Sequence, residues 1–150
     1  MEVIFNLRLP QDEASVPLVR HVVASTLDRL GVDDACIFDV QIAVTEACTN
    51  VLKHADGHRD DYEVKVAVFP DRCEIHVTDV GVGLVPGVLE RVPAGVEDET
   101  GRGVQLMRSL VDQLQFSAGP RAGLSVRLLK RLSFTEGAVM RRLAGTPHAT

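Results

Sequence analysis

Residues 41–55 have the sequence QIAVTEACTNVLKHA, in which an apolar helical pattern carries two polar residues at a suggestive spacing. Apolar residues recur every three or four positions across the segment, as in a helix with one buried face. Glu46 and Asn50 are four residues apart, so they share a helix face away from that apolar stripe. The amide oxygen is a hard ligand suited to Mg²⁺, and the carboxylate can act as a base. By itself, however, such a pair is more typical of an ordinary solvated helix face.

Two pairs of glycines elsewhere in the chain support a functional interpretation of this helix. Asp79, Gly81 and Gly83 follow a predicted strand, and Gly101 and Gly103 precede a predicted helix. Because glycine has no Cβ, the backbone can approach a ligand closely and its N–H groups can face phosphate. Each pair alone could equally be a strand-end turn or a flexible helix entry. Taken with the helix, the three segments indicate a nucleotide site.

The better-known nucleotide and hydrolase motifs are absent from the sequence. There is no G-x-x-x-x-G-K-[ST], and Pro86 and Leu106 stand where a dinucleotide fingerprint would need its third glycine. The patterns H-E-x-x-H and G-x-S-x-G are also missing. His54 and His58 lack a third ligand type nearby, so a histidine metal site is not indicated.

Periodicity along the chain predicts an α+β fold. The order is strand, helix, helix, hairpin, loop, helix, hairpin, which favours a two-layer sandwich with a mixed, mostly antiparallel sheet and helices on one face. We expect one domain over residues 1–134 and a partly disordered tail over 135–150. Residues 84–100 lack clear periodicity and are interpreted as a mobile lid. The predicted strands cover residues 3–10, 62–69, 73–78, 113–117 and 123–130, and the predicted helices cover 17–31, 33–55 and 104–111.

Composition narrows the class of protein. A chain of 150 residues with 45% hydrophobic content can bury one full core. The net charge of -5 argues against a nucleic-acid partner, which would require a basic surface. Three widely spaced cysteines indicate reduced thiols rather than disulfides or zinc ligands. The start of the chain does not have the pattern of a signal peptide, and no segment approaches the apolar length of a membrane span, so the expected location is the cytoplasm, with no membrane partner.

These motifs resemble the GHKL (Bergerat-fold) ATPases and, among them, the anti-sigma-factor serine/threonine kinases. Residues 41–55 resemble the N box nearly residue for residue, residues 77–84 the first glycine box, and residues 101–107 the second. The resemblance implies that the cofactors are ATP and Mg²⁺, with Asn50 as the metal ligand and Glu46 as the catalytic base. Asp79 would accept a hydrogen bond from the adenine amino group. The other residues implied to bind the nucleotide are Lys53, His54, Gly81, Gly83, Thr100, Gly101, Arg102, Gly103, Val104 and Ser125.

The resemblance also implies a function, with one departure. Such kinases phosphorylate an anti-sigma-factor antagonist and sequester a sigma factor, and they often form homodimers. They usually carry an arginine just before the second glycine pair, where this chain has Glu99 and Thr100; Arg102 is the candidate replacement. The alternative is therefore a non-catalytic ATP-binding module that sequesters its protein partner. A histidine kinase catalytic domain is disfavoured, because no dimerisation helices precede the N box and His21 lies too close to the domain.

Overall fold

The computed structural model describes residues 1–54, 61–79, 101–118 and 124–145. Within these ranges the strands and the first three helices follow the predicted order with shifts of a few residues at their ends, and a short helix that was not predicted follows the last strand. In chain order they are β1 (Val3–Pro10), α1 (Ser15–Leu30), α2 (Asp34–Lys53), β2 (Asp61–Val68), β3 (Arg72–Asp79), α3 (Gly101–Leu110), β4 (Gln113–Ala118), β5 (Leu124–Arg131) and α4 (Val139–Ala144).

The five described strands form one sheet in the order β1-β2-β3-β5-β4, and every neighbouring pair is antiparallel. Alternate residues of the central strands point to opposite faces. Tyr62, Val64 and Val66 of β2 are buried beneath the helices, whereas Glu63 and Lys65 lie on the other side, which we call the open face. The prediction of an α+β sandwich with helices on one face is confirmed.

Helix α2 is the central helix of the domain. Asp33 caps it by accepting a hydrogen bond from the Cys36 N–H at 3.1 Å, an arrangement that satisfies one of the free N–H groups at a helix start. Its buried face packs against α1, α3, β3 and β5. Although α2 is long and apolar enough to cross a membrane by length and composition, its apolar stripe belongs to the core of this domain.

The segment after residue 134 includes the short helix α4. Thr135 donates its N–H to the Gly31 carbonyl at 2.8 Å, and Met140 of α4 is fully buried. Gly31 ends α1 with φ 87°, and a Cβ at this position would lie 2.4 Å from the Ala138 Cβ. Residues 135–145 are therefore packed against the end of α1 through Ala138 and Met140. Partial disorder of the tail stays a prediction. Residues 146–150 lie outside the described part, and the boundary at 134 stays a prediction.

Candidate nucleotide-binding site

The N-box helix and the second glycine box meet at Glu46. The Glu46 carboxylate lies so close to the first turn of α3 that a Cβ added to Gly103 would be 2.6 Å from Oε2. Glycine at 103 thus leaves room for the Glu46 carboxylate in its present position, and a Cβ there would force this flexible side chain to shift. The N-terminus of α3 carries partial positive charge, which favours a carboxylate or a phosphate group beside it.

Asn50 lies one turn after Glu46 and is more buried than the sequence pattern indicated. Only 2% of Asn50 is exposed, although its position is off the apolar stripe. Its Nδ2, like His54 Nε2 at the end of the same helix, is a buried polar atom without a hydrogen-bond partner among the residues that the structure describes. An unsatisfied buried donor costs about 1–3 kcal/mol. Two such atoms on one helix indicate a place where a ligand completes the hydrogen bonding.

Asp79 ends β3 on the helix-covered face, where 2% of it is exposed. Gln11, which follows β1, donates a hydrogen bond from Nε2 to Asp79 Oδ1 at 2.7 Å. Sequence analysis missed Gln11, because a single glutamine after Pro10 gives no local signal of a contact 68 residues away. The structure alone joins the start of the chain to the first glycine box.

A buried polar network supports this corner of the domain. Tyr62 is directly opposite Asp79 in the β2–β3 register. The Tyr62 hydroxyl and Ser15 Oγ share a hydrogen bond of 2.6 Å, and Ser15 Oγ is also 2.6 Å from the Asp12 carbonyl that accepts its hydrogen. Burial raises the pKa of Tyr62 to about 12 and that of Cys48, which contacts its hydroxyl, also to about 12. Both groups therefore stay neutral and serve as structural supports at physiological pH.

Three other residues assigned to the site have different surroundings. Lys53 is exposed and lines a cavity of about 540 Å³ together with Gln11 and the first residues of α1. Arg102 is exposed at the start of α3. The Val104 side chain is 3% exposed and belongs to the core, so only its backbone is available to a ligand. Lys53 and Arg102 are thus exposed cations, one at the end of α2 and the other at the start of α3.

Ser125 is not brought together with the other site residues. It is paired with Thr78 in the β3–β5 register and bonds to His76 Nε2 at 2.5 Å and Thr78 Oγ1 at 3.2 Å. These residues are on the open face, whereas Asp79 is on the helix-covered face. Because successive strand residues alternate in direction, the serine next to Leu124 cannot share the face of Asp79. Among the described residues Ser125 therefore bonds to His76 and Thr78 rather than to Asp79, and its assignment to the nucleotide site stays a prediction.

Several residues of the predicted site lie outside the part of the chain that the structure describes. Gly81, Gly83, Glu99 and Thr100 lie outside the described residues, as does the lid predicted over 84–100. Gly101 is described as the first residue of α3. The described site thus consists of the N-box edge, Asp79 with Gln11, and the start of α3.

Comparison with known proteins identifies the family. A sequence model of the histidine kinase-like ATPase domain, HATPase_c_2, matches residues 9–130. The chain belongs to this ATPase family. The match extends from the last residues of β1 to the end of β5, so it includes every described part of the candidate site.

Curated relatives of this ATPase family member are serine-protein kinases. The chain is 30% identical over 138 residues to the serine-protein kinase RsbW of Bacillus velezensis, a match that covers 85% of each chain. It is 29% identical to that of Bacillus pumilus over 143 residues, covering 87% of this chain and 86% of the relative. The RsbW of Bacillus subtilis is 28% identical over 138 residues, covering 85% of each. The predicted resemblance to GHKL-type serine kinases is confirmed.

The described residues fit an ATP and Mg²⁺ site of this ATPase family. The buried Asn50 amide has an oxygen, Oδ1, of the type that binds a metal, and its Nδ2 donor has no hydrogen-bond partner among the described residues. Glu46 offers a carboxylate beside the first turn of α3. Oxygen ligands of this kind suit Mg²⁺, which usually binds through one or two protein groups and substrate phosphates. Asp79 supplies a carboxylate acceptor at the end of β3.

Proposed function

We propose that the chain is an ATP-dependent serine/threonine kinase that phosphorylates an anti-sigma-factor antagonist and sequesters a sigma factor. The observation that carries the proposal is the contact between Glu46 and Gly103, next to the buried Asn50 amide. This contact joins the N box to the second glycine box. The serine-protein kinase names of the relatives support the same reaction class.

Phosphoryl transfer depends mostly on positioning and charge neutralisation. In this site Asn50 would hold Mg²⁺ against the triphosphate, and the metal when bound neutralises charge on the phosphate oxygens. Asp79 would accept a hydrogen bond from the adenine amino group. The N–H groups at the start of α3 would face phosphate. Lys53, at the end of α2, and Arg102, in the first turn of α3, would add positive charge.

Glu46 is the proposed general base. Its half-buried carboxylate lies beside the first turn of α3, and we infer that the attacking hydroxyl would meet the nucleotide phosphates there. A base in this position accepts or orients the proton of the substrate serine. The reaction would take place in the cytoplasm, without a nucleic-acid or membrane partner, and a homodimer is compatible with it.

The second candidate function is a non-catalytic ATP-binding module that sequesters its partner. The observation in its favour is Glu99, an acidic residue where related kinases usually have an arginine directed at the terminal phosphate. A carboxylate at this place would repel the phosphate instead of stabilising it. Both functions use the same nucleotide site, and they differ only in whether the phosphoryl group is transferred to the protein partner.

The test is a transfer assay with the purified chain, ATP, Mg²⁺ and antagonist proteins encoded near its gene. Phosphoserine or phosphothreonine on the antagonist, detected by mass spectrometry, is the expected result. ATP-dependent binding of the antagonist without label would select the non-catalytic module. A chain that binds no adenine nucleotide would overturn both functions.

A further inference from the structure

Gln11 connects two distant parts of the candidate site. It follows the last residue of β1, and its side chain reaches the end of β3, where Nε2 donates to Asp79 Oδ1 at 2.7 Å. Asp79 is almost fully buried, so this bond lies in a region of low dielectric constant. Hydrogen bonds to a charged acceptor in such surroundings are stronger than those between neutral groups. Gln11 thus makes a strong hydrogen bond to Asp79, the residue proposed to bind adenine.

The amide of Gln11 has a defined orientation. With Nε2 directed at the Asp79 carboxylate, Oε1 stays a buried acceptor without a hydrogen-bond partner among the residues described. The opposite orientation would place an amide oxygen against a carboxylate oxygen, which is repulsive. Asp79 and Gln11 therefore present acceptor groups side by side, and Gln11 has one acceptor that the described protein does not satisfy.

The backbone around Gln11 is held in place independently of any ligand. The Asp12 N–H donates to the Pro10 carbonyl at 2.8 Å, so the turn closes around Gln11. Ser15 ties the same turn to the fully buried Tyr62, which is opposite Asp79 in the sheet. A side chain on so well supported a turn loses little entropy when a ligand binds.

We propose that Gln11 is a positioning and base-selecting residue for adenine. It orients the Asp79 carboxylate and, through Oε1, adds a second acceptor that favours an amino group. Adenine carries an amino group at C6, whereas guanine carries a carbonyl oxygen there, which two acceptors would repel. A carboxylate has about four acceptor positions, so the bond from Gln11 and one from adenine can coexist. This inference rests on the proposed function, because it assumes that the site binds ATP.

The experiment measures nucleotide affinity by titration calorimetry for three variants and the wild type. Gln11→Met keeps the side-chain length without hydrogen-bonding groups, and Gln11→Glu places a carboxylate against Asp79. Gln115→Met makes the same change at an exposed position of β4 and is the matched control. The nucleotides are ATP, GTP and purine riboside triphosphate, which has no amino group at C6. Circular dichroism and thermal unfolding verify that each variant is folded.

We expect Gln11→Met to bind ATP about tenfold more weakly, the loss typical of one hydrogen bond to a charged group. Its affinity for the amino-free nucleotide should stay within about twofold of wild type, and its preference for ATP over GTP should fall. Gln11→Glu should weaken ATP binding further, since like charges repel. Gln115→Met should behave as wild type.

Two results would overturn the inference alone. One is an unchanged ATP affinity in folded Gln11→Met; the other is an equal loss for ATP and the amino-free nucleotide, which would indicate general support of the fold. A wild-type chain that binds none of the nucleotides would instead overturn the proposed function, and this inference with it. The wild-type titration by itself distinguishes these failures.

Discussion

The two faces of the sheet differ in whether their buried polar atoms have hydrogen-bond partners among the described residues. On the open face, Ser125 is 4% exposed and is satisfied by His76 and Thr78. On the helix-covered side, Gln11 Oε1, Asn50 Nδ2 and His54 Nε2 are buried without partners among the described residues. Thr78 and Asp79 are consecutive in β3, yet they belong to these two different environments.

The contrast separates a structural polar cluster from a binding site. Buried polar atoms are nearly always paired, and each exception calls for a physical explanation. The open-face cluster is complete, so it gains nothing from a ligand. The helix-covered side has a donor, an acceptor and a ring nitrogen that no described residue satisfies, and each lies on the N-box helix or on the residue bonded to Asp79. Of these two polar regions, the one whose buried atoms no described residue satisfies is the better candidate for a ligand-binding site.

The largest expected effect comes from Glu46→Gln. This change keeps size and polarity but removes the base, so transfer to the antagonist should fall about 10²- to 10⁴-fold while ATP affinity changes little. Single-turnover transfer at saturating ATP measures it. Glu63→Gln, on the open face, is the control and should transfer at the wild-type rate. Equal rates for Glu46→Gln and wild type would remove Glu46 from the mechanism.

Gly103→Ala should move the same carboxylate without harming the fold. The new Cβ would meet Glu46 Oε2, the mobile end of a side chain, so the carboxylate can shift away. Displacement of a catalytic group by about 1 Å can cost roughly 10²-fold in rate, whereas alanine in a helix is about 0.5–1 kcal/mol more stable than glycine. Transfer should therefore fall while the free energy of unfolding, measured in urea, does not.

A double-mutant cycle sharpens that test. In the Glu46→Gln background, Gly103→Ala should cost much less additional activity, because the group that it displaces is already disabled. Full additivity of the two changes would mean that Gly103 acts through something other than Glu46. A strong loss of stability in Gly103→Ala would contradict the close-approach explanation.

Asn50→Ala should weaken binding of Mg·ATP by about 10- to 100-fold, consistent with loss of one strong polar interaction. Calorimetry with and without Mg²⁺ measures the metal-dependent part, which should disappear. Asn6→Ala, at an exposed position of β1, makes the same change on the open face and should have no effect. Unchanged Mg·ATP affinity in folded Asn50→Ala would contradict the N-box assignment.

The smallest effect concerns stability on the open face. Burial, followed by the charges of Arg127 and Lys65, lowers the pKa of His76 below its ordinary value of 6.5. The unfolded chain therefore binds this proton at higher pH than the folded chain, and stability is lost as pH falls below about 6.5. Urea unfolding at pH 7.5 and 5.5 should show a smaller pH dependence for His76→Gln than for wild type.

The control for that measurement is His21→Gln, at an exposed position of α1, which should retain the wild-type pH dependence. If His76→Gln and wild type lost stability equally between the two pH values, His76 would not be responsible. We expect nucleotide binding to be the same in all three proteins, because neither His76 nor His21 is a residue of the candidate site.

Local chemistry explains why much of the fold could be predicted. Gly31 and Asp33 mark the end of α1 and the start of α2 through backbone conformation and capping, which depend on a few neighbouring residues. The alternation of Cys73, Ile75 and Val77 with polar residues in β3 likewise depends on local sequence, and these three residues are buried. After residue 134 no local pattern predicted that Met140 is buried, because its packing depends on distant parts of the chain.

For the candidate site, the sequence alone determined the residue types and their spacing: Glu46 and Asn50 on one helix face, Asp79 after a strand, and Gly103 near a helix start. The tertiary structure decided what these residues contact. It placed β5 between β3 and β4, turned Ser125 to the open face, buried Asn50, and brought Gln11 to Asp79. The physical reason is that short-range spacing specifies a face of one element, whereas contacts between elements depend on strand order and packing across the whole chain.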